Sequence, residues 1–144
     1  MKKILVATDG SEAANEALEI AIDLAKQGGA ALDVLSVRPT RLAGRGGSGA
    51  PILEVEEAHG AEHIADVAAQ RARDAGVEST PHAAHGDIVD CIVAAATTLG
   101  ADLLVVGSRG LGSLSGAVLG SVSHALVHRS PVPVTIVRHA AAGS

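Results

Sequence analysis

The residues best suited to chemistry lie in one stretch, Gly107-x2-Gly110-x9-Gly120-Ser121. Glycines at these positions remove side chains that hold a backbone away from a ligand, so several N–H groups can approach phosphate oxygens together. Gly120-Ser121 also stand where a helical pattern begins, so a phosphate there would meet the free N–H groups and positive end of a helix. The hydroxyls of Ser121 and Ser123 are further candidate donors, with Val122 between them. Arg109 is the only Lys or Arg between Arg73 and Arg129, which makes it the one cation of the segment. A nucleoside triphosphate held there is therefore expected to bring Mg2+ to offset its remaining charge. Spacing alone leaves an ordinary surface loop open as the other reading, because turns also use Gly for positive φ.

The elements that must position this segment alternate along the chain. Ile4 to Ala7 is a short apolar run ended by Thr8-Asp9-Gly10, which predicts a buried strand and a tight turn. Ser11 is a natural N-cap, and Ala14, Leu18, Ala21, Ile22 and Ala25 share one helical face before Gly28-Gly29. Leu32 to Val37 predicts a second strand. Residues 40 to 51, rich in Gly, predict a flexible loop, and residues 139 to 144 a disordered tail. A long helix is expected over Ile52 to Ala75, with Val55, Ile64, Ala65, Ala68 and Ala72 inward. Val77 to His85 follows as a strand whose Pro81 places it at a sheet edge. Asp87 can cap a helix bearing Ile88, Cys91, Ile92, Ala95 and Leu99. Leu103 to Val106, a helix over Gly120 to His128 and a last strand, Val132 to Val137, complete the pattern.

Strands apolar on both faces and alternating with helices imply one domain over residues 1–144. It is a Rossmann-like α/β three-layer sandwich with a five-stranded parallel sheet covered on both sides. Right-handed crossovers then require the winding to reverse once, giving the strand order 3-2-1-4-5. The ligand crevice of such a sheet opens at the carboxyl ends of strands 1 and 4. Asp9 follows the first and Gly107 the second.

Composition narrows the function classes. The chain has 144 residues, 47% of them hydrophobic, no Phe, Tyr or Trp, and a net charge of −5. An adenine ring would therefore be held by aliphatic side chains and backbone, and a nucleic-acid partner loses both its stacking groups and its basic patch. The single Cys91 excludes an internal disulfide. No stretch is long enough to span a bilayer, so a soluble cytoplasmic protein without a membrane partner is expected. A P-loop needs a Lys after its Gly-rich turn, and this chain has none beyond Lys26. A dinucleotide-binding domain needs Gly-x-Gly-x-x-Gly after strand 1, where Asp9-Gly10-Ser11 stands. The pairs His59-x3-His63 and His124-x3-His128 have helical metal-pair spacing, but neither has an evident third ligand, so solvent-facing histidines are expected.

Taken together, the motifs resemble the universal stress protein family, whose signature Gly-x2-Gly-x9-Gly-Ser/Thr is matched at every fixed position of residues 107 to 121. The resemblance extends to Lys3-Ile4-Leu5-Val6-Ala7-Thr8-Asp9-Gly10-Ser11, to Gly86-Asp87, to Gly100 through Gly110 and to Pro131-Val132-Pro133-Val134. It implies a homodimeric, ATP-binding regulatory protein of stress physiology, with no catalytic reaction common to the family. It places Asp9 near the ribose and the phosphate side of the nucleotide, and the backbone of Val37 against adenine. Gly107, Arg109, Gly110, Gly120, Ser121 and Ser123 fall on the phosphate and ribose contacts; Thr8 and Val122, adjoining these positions, complete the candidate set. No catalytic residue and no metal ligand is assigned.

Two function classes follow. A nucleotide sensor or switch needs a site and a surface that responds to it; a slow ATP hydrolase also needs a group to orient water, for which only Asp9 presents itself. AMP and cyclic AMP stand beside ATP as alternative ligands. The last strand, Val132 to Val137, is expected at the sheet edge, where antiparallel pairing with a second copy would form a homodimer.

Overall fold

The structure, a computed structural model, describes residues 1–39, 50–108 and 120–138, with only the backbone of residues 50–59. In chain order the elements are β1 (Lys3–Ala7), α1 (Glu12–Gly28), β2 (Ala31–Arg38), α2 (Ala50–Asp74), β3 (Ser79–His85), α3 (Ile88–Thr98), β4 (Leu103–Gly107), α4 (Ser121–Arg129) and β5 (Val134–Val137). All strand pairs are parallel, in the order β3-β2-β1-β4-β5, so the expected sheet is the one formed.

Each strand supplies both faces through its period of two. Ile4 and Val6 of β1 join Leu32, Val34 and Val105 under Leu18, Ile22 and the alanines Ala68, Ala69 and Ala72 of α1 and α2. Leu5 and Ala7 join Leu35, Leu104 and Val106 beneath Ile92, Ala96 and Leu126 of α3 and α4. On α3 the fully buried alanine is Ala96, whereas Ala95 is only partly buried. Because α1 and α2 cover one face and α3 and α4 the other, the chain leaves β1 and β4 in opposite directions, and a crevice opens between them.

Local signals set the element ends. Ser11 Oγ accepts from Ala14 N at 3.2 Å, and Gly29, at φ 68°, closes α1 by donating to Ala25 O. Only a residue free of Cβ strain enters that left-handed turn cheaply. Asp87 caps α3 by accepting from Asp90 N at 2.9 Å. Several boundaries differ from expectation, among them the start of β3, at Ser79 rather than Val77. Helix α2 begins at Ala50, two residues earlier, since a proline such as Pro51 is tolerated in a helix's first turn. Strand β5 begins at Val134 rather than Val132, because Ser130 Oγ donates to Val132 O at 2.7 Å and accepts from Val132 N at 3.1 Å, bending that residue out of line. Of the Gly-rich loop, residues 40–49 lie outside the described residues, as do residues 139–144.

The sheet is also laced by polar contacts remote from its carboxyl edge. Asp102 accepts from the N–H groups of Lys2 (2.7 Å) and Lys3 (3.0 Å), which holds its carboxyl below the usual carboxylate range. On β2, the buried Asp33 meets His82 Nε2 at 2.9 Å and Lys3 Nζ at 3.5 Å. His82 is therefore tied to the sheet rather than left to solvent.

Candidate functional site

At the end of β1 the chain makes a tight turn. Thr8 N donates to Leu35 O at 2.9 Å, and Thr8 Oγ1 accepts from Gly10 N at 3.0 Å, which leaves Thr8 1% exposed. Asp9 Oδ1 accepts from Ser11 N at 2.9 Å, so this carboxylate caps its own turn, while Oδ2 has no hydrogen-bond partner among the described residues. Gly10 takes φ +83°, and a Cβ there would lie 3.4 Å from Ile64 Cγ1.

Across the crevice, Ser108 N donates to Val137 O at 2.8 Å and Gly120 N donates to Ser108 O at 3.0 Å. These two bonds bring the start of α4 against the end of β4. Gly120 is the N-cap of α4 and offers no side-chain cap; the first helical bond runs from His124 N to Gly120 O at 3.0 Å. Among the described residues the N–H groups of Ser121, Val122 and Ser123 consequently have no acceptor, as expected of an uncapped helix start.

The two serines of this turn have different roles. Ser121 is exposed and its hydroxyl makes no hydrogen bond among the described residues. Ser123 is 2% exposed and its Oγ donates to Gly107 O at 2.7 Å. The Ser123 proton, expected from the sequence to serve a ligand, is thus committed to fastening α4 to β4; Ser123 can offer a ligand its backbone N–H. Arg109 and Gly110 of the glycine segment lie outside the described residues.

A cleft of about 530 Å3 opens on the α3 and α4 side of the carboxyl edge, lined by Pro39, Gly86, Asp87, Ile88, Val89, Ser121 and Val122. Its size lies within the range of roughly 300–1,000 Å3 common to small-ligand sites. Ile88, Val89, Val122 and Pro39 give it aliphatic walls, and the start of α4 gives it N–H donors that are unpaired among the described residues. A smaller cleft, about 210 Å3, lies on the α1 and α2 side between Thr8, Gly10, Asn15, His63, Ile64, Val67 and Ala68. The expected residues are therefore divided: Ser121 and Val122 line the larger cleft, and Thr8 the smaller. Val37 lines neither, since its side chain is 7% exposed within the core against α3 and α4, and Pro39 beyond it forms the wall instead.

Pro39, Ile88 and Val89 carried no site signal in the sequence. Gly86-Asp87 did stand out, but as a helix start. Gly86 takes φ +133°, and a Cβ there would approach Cys91 Sγ to 3.5 Å, so the turn that builds this wall depends on glycine. Burial, with smaller contributions from Asp87 and Asp90, pushes the Cys91 thiol pKa up. A low-reactivity thiol behind the wall is the result.

An open parallel sheet with a crevice at the winding reversal, faced by an uncapped helix start, defines the class of Rossmann-like domains that bind ligands beyond their strand ends. Comparison with known proteins narrows this: the model of the universal stress protein family matches residues 1–138. The Bacillus subtilis universal stress protein YxiE is 36% identical over 146 residues, covering 94% of this chain and 98% of that protein. The solved structure of the protein MJ0577 superposes with a TM-score of 0.85 at 26% identity, covering 98% of each chain. A universal stress protein solved in complex with cAMP superposes with a TM-score of 0.69 at 31% identity, covering 95% of this chain and 96% of the other. The chain belongs to the universal stress protein family.

Proposed function

We propose that this chain binds an adenine nucleotide at the carboxyl edge of its sheet, with the phosphates at the first turn of α4 and the base against the aliphatic walls of the larger cleft, and that it acts as a nucleotide sensor rather than an enzyme. The observation that carries this reading is the uncapped start of α4 at Gly120, opening into a cleft lined by Ser121, Val122, Ile88 and Val89. Backbone N–H groups and the helix's positive end favour an anion there, while the wall accepts an apolar ring. The relative solved with cAMP shares this fold and supports an adenine nucleotide as the ligand class.

ATP is our choice among adenine nucleotides, following the glycine segment that ends at Gly120-Ser121. Among the described residues no group of three or more His, Cys, Asp or Glu side chains is placed to hold a metal ion. That donor set fits Mg2+ only as a companion of the phosphates, with Asp9 and Asp87 as carboxylates at the edge, each engaged at one oxygen by its own turn. Mg2+ would offset phosphate charge; the chain's own part is to orient the nucleotide through α4 and exclude water from its base. At the crevice the described acidic groups are Asp9 and the cleft-lining Asp87, and each already caps its own turn, which supports binding over turnover.

We further assign the chain to the cytoplasm and to a homodimer paired through β5. In support, no helix among the described residues is long and apolar enough to cross a membrane, and β5 lies at the sheet edge with Val134, Ile136 and Val137 half-buried.

Isothermal titration of ATP into wild type and Gly120→Val tests the site. The added side chain occupies the phosphate's approach, so binding is expected to be lost while the far-UV spectrum is retained. Unaltered ATP affinity in the folded variant would overturn the assignment. Adding EDTA separates the metal from the site: affinity should fall if Mg2+ accompanies the phosphates, and remain if it does not.

A further inference from the structure

Beyond the nucleotide, we infer that His124 and His128 on the exposed side of α4 form a binding site for a borderline divalent transition metal ion, of the Ni2+, Cu2+ or Zn2+ class. The two imidazoles are one helical turn apart, their ring centroids are 4.9 Å from each other and their planes are inclined at 65°. Both residues are exposed, and no hydrogen bond engages either ring among the described residues. Among the described residues both rings are thus without a hydrogen-bond partner, on the same helix face and at the i, i+4 spacing that lets two histidines share one metal.

The surroundings favour a cation more than the sequence suggests. Arg129, the next residue, directs Nη2 to Asp90 Oδ1 at 2.7 Å, so its charge is paired with α3 rather than presented to the rings. The other imidazole with a described partner, His82, is occupied by Asp33 and is not available as a ligand in this way. Because no third His, Cys, Asp or Glu joins the pair among the described residues, the ion would keep most of its coordination positions for water. Nitrogen-only protein ligation selects against Mg2+ and Ca2+, which prefer oxygen, and for ions that take imidazole. The site does not depend on the nucleotide reading: neither histidine lines the cleft, although Ser121, three residues before His124, shares their helical face.

The test is titration of untagged full-length chain with NiCl2 above the ordinary imidazole pKa of about 6.5, by calorimetry and by NMR of the histidine rings. We expect Ni2+ to bind, with the ring signals of His124 and His128 the first to broaden. Cu2+ should bind more tightly than Ni2+ or Zn2+. Removing one ligand converts a chelate into a single-point contact, so His128→Gln should weaken Ni2+ binding by about a hundredfold. The variant carrying both His59→Gln and His63→Gln, which lacks the chain's other pair at this spacing, should bind Ni2+ at this site as wild type does. Absence of Ni2+ uptake by wild type overturns the inference. So does unchanged affinity and stoichiometry in the variant carrying both His124→Gln and His128→Gln. Since both positions are exposed, an unchanged thermal melt of that variant shows that any loss of binding comes from the ligands.

Discussion

Two hydroxyls separated by one residue should fail in opposite ways when removed. Ser123 Oγ donates to the buried Gly107 carbonyl at 2.7 Å, whereas Ser121 is exposed and its hydroxyl makes no hydrogen bond among the described residues. Replacing Ser123 with Ala removes the donor and strands a buried acceptor, which costs about 1–3 kcal/mol. For a chain of this size that lowers Tm by roughly 2–4 °C per kcal/mol, so a drop of about 2–12 °C is expected. Ser121→Ala should leave Tm unchanged. If its hydroxyl donates to a phosphate, its loss removes a charge-assisted bond of about 1.5–3 kcal/mol, which is roughly a 10- to 150-fold fall in nucleotide affinity. Thermal denaturation of both variants, with ATP titration of each, makes the comparison. Ser123→Thr, which keeps a hydroxyl at the same carbon, should recover most of the stability. The reasoning is refuted if Ser123→Ala melts with wild type while weakening nucleotide binding as Ser121→Ala does, because the Ser123 hydroxyl would then face the ligand and not Gly107.

Other expectations follow from single contacts. Gly10→Ala forces a side chain into φ +83° with Ile64 3.4 Å away, and chemical denaturation should show a loss of about 1–2 kcal/mol; unchanged stability would mean that the turn relaxes freely. The Asp102 carboxyl is held below its ordinary range by the Lys2 and Lys3 N–H groups, so its stabilisation is fully present above the unfolded value of about 3.9 and is lost as pH falls through the lower folded value. The Tm gap between wild type and Asp102→Asn should accordingly narrow in acid, and a gap constant from neutral to strongly acidic pH would contradict this. Burial and two nearby carboxylates raise the Cys91 thiol pKa, so a disulfide reagent should modify it more slowly in the folded chain than in urea; equal rates would remove the shielding inferred behind Gly86.

Much of the fold was legible because its signals are local. Caps such as Ser11 and Asp87, the stop at Gly29 and the period-two apolar runs act within a few residues, and right-handed crossovers leave few ways to order five parallel strands. The place of the crevice followed too, since Asp9 and Gly107 stand at the ends of strands that the winding rule makes neighbours. Element ends were less legible where a side chain intervened, as Ser130 does before β5.

Which atoms of the site are free was decided only by tertiary contact. Ser121 and Ser123 are chemically alike in sequence, and a bond across 16 residues to Gly107 separates them. Pro39, Ile88 and Val89 become a wall only when the ends of β2 and β3 are brought to the start of α4. His82 is engaged by Asp33, 49 residues away, whereas no hydrogen bond engages the rings of His124 and His128 among the described residues. Residue type and spacing determine what a group can do; a hydrogen bond forms over about 3 Å, and that distance between remote segments exists only in the packed fold.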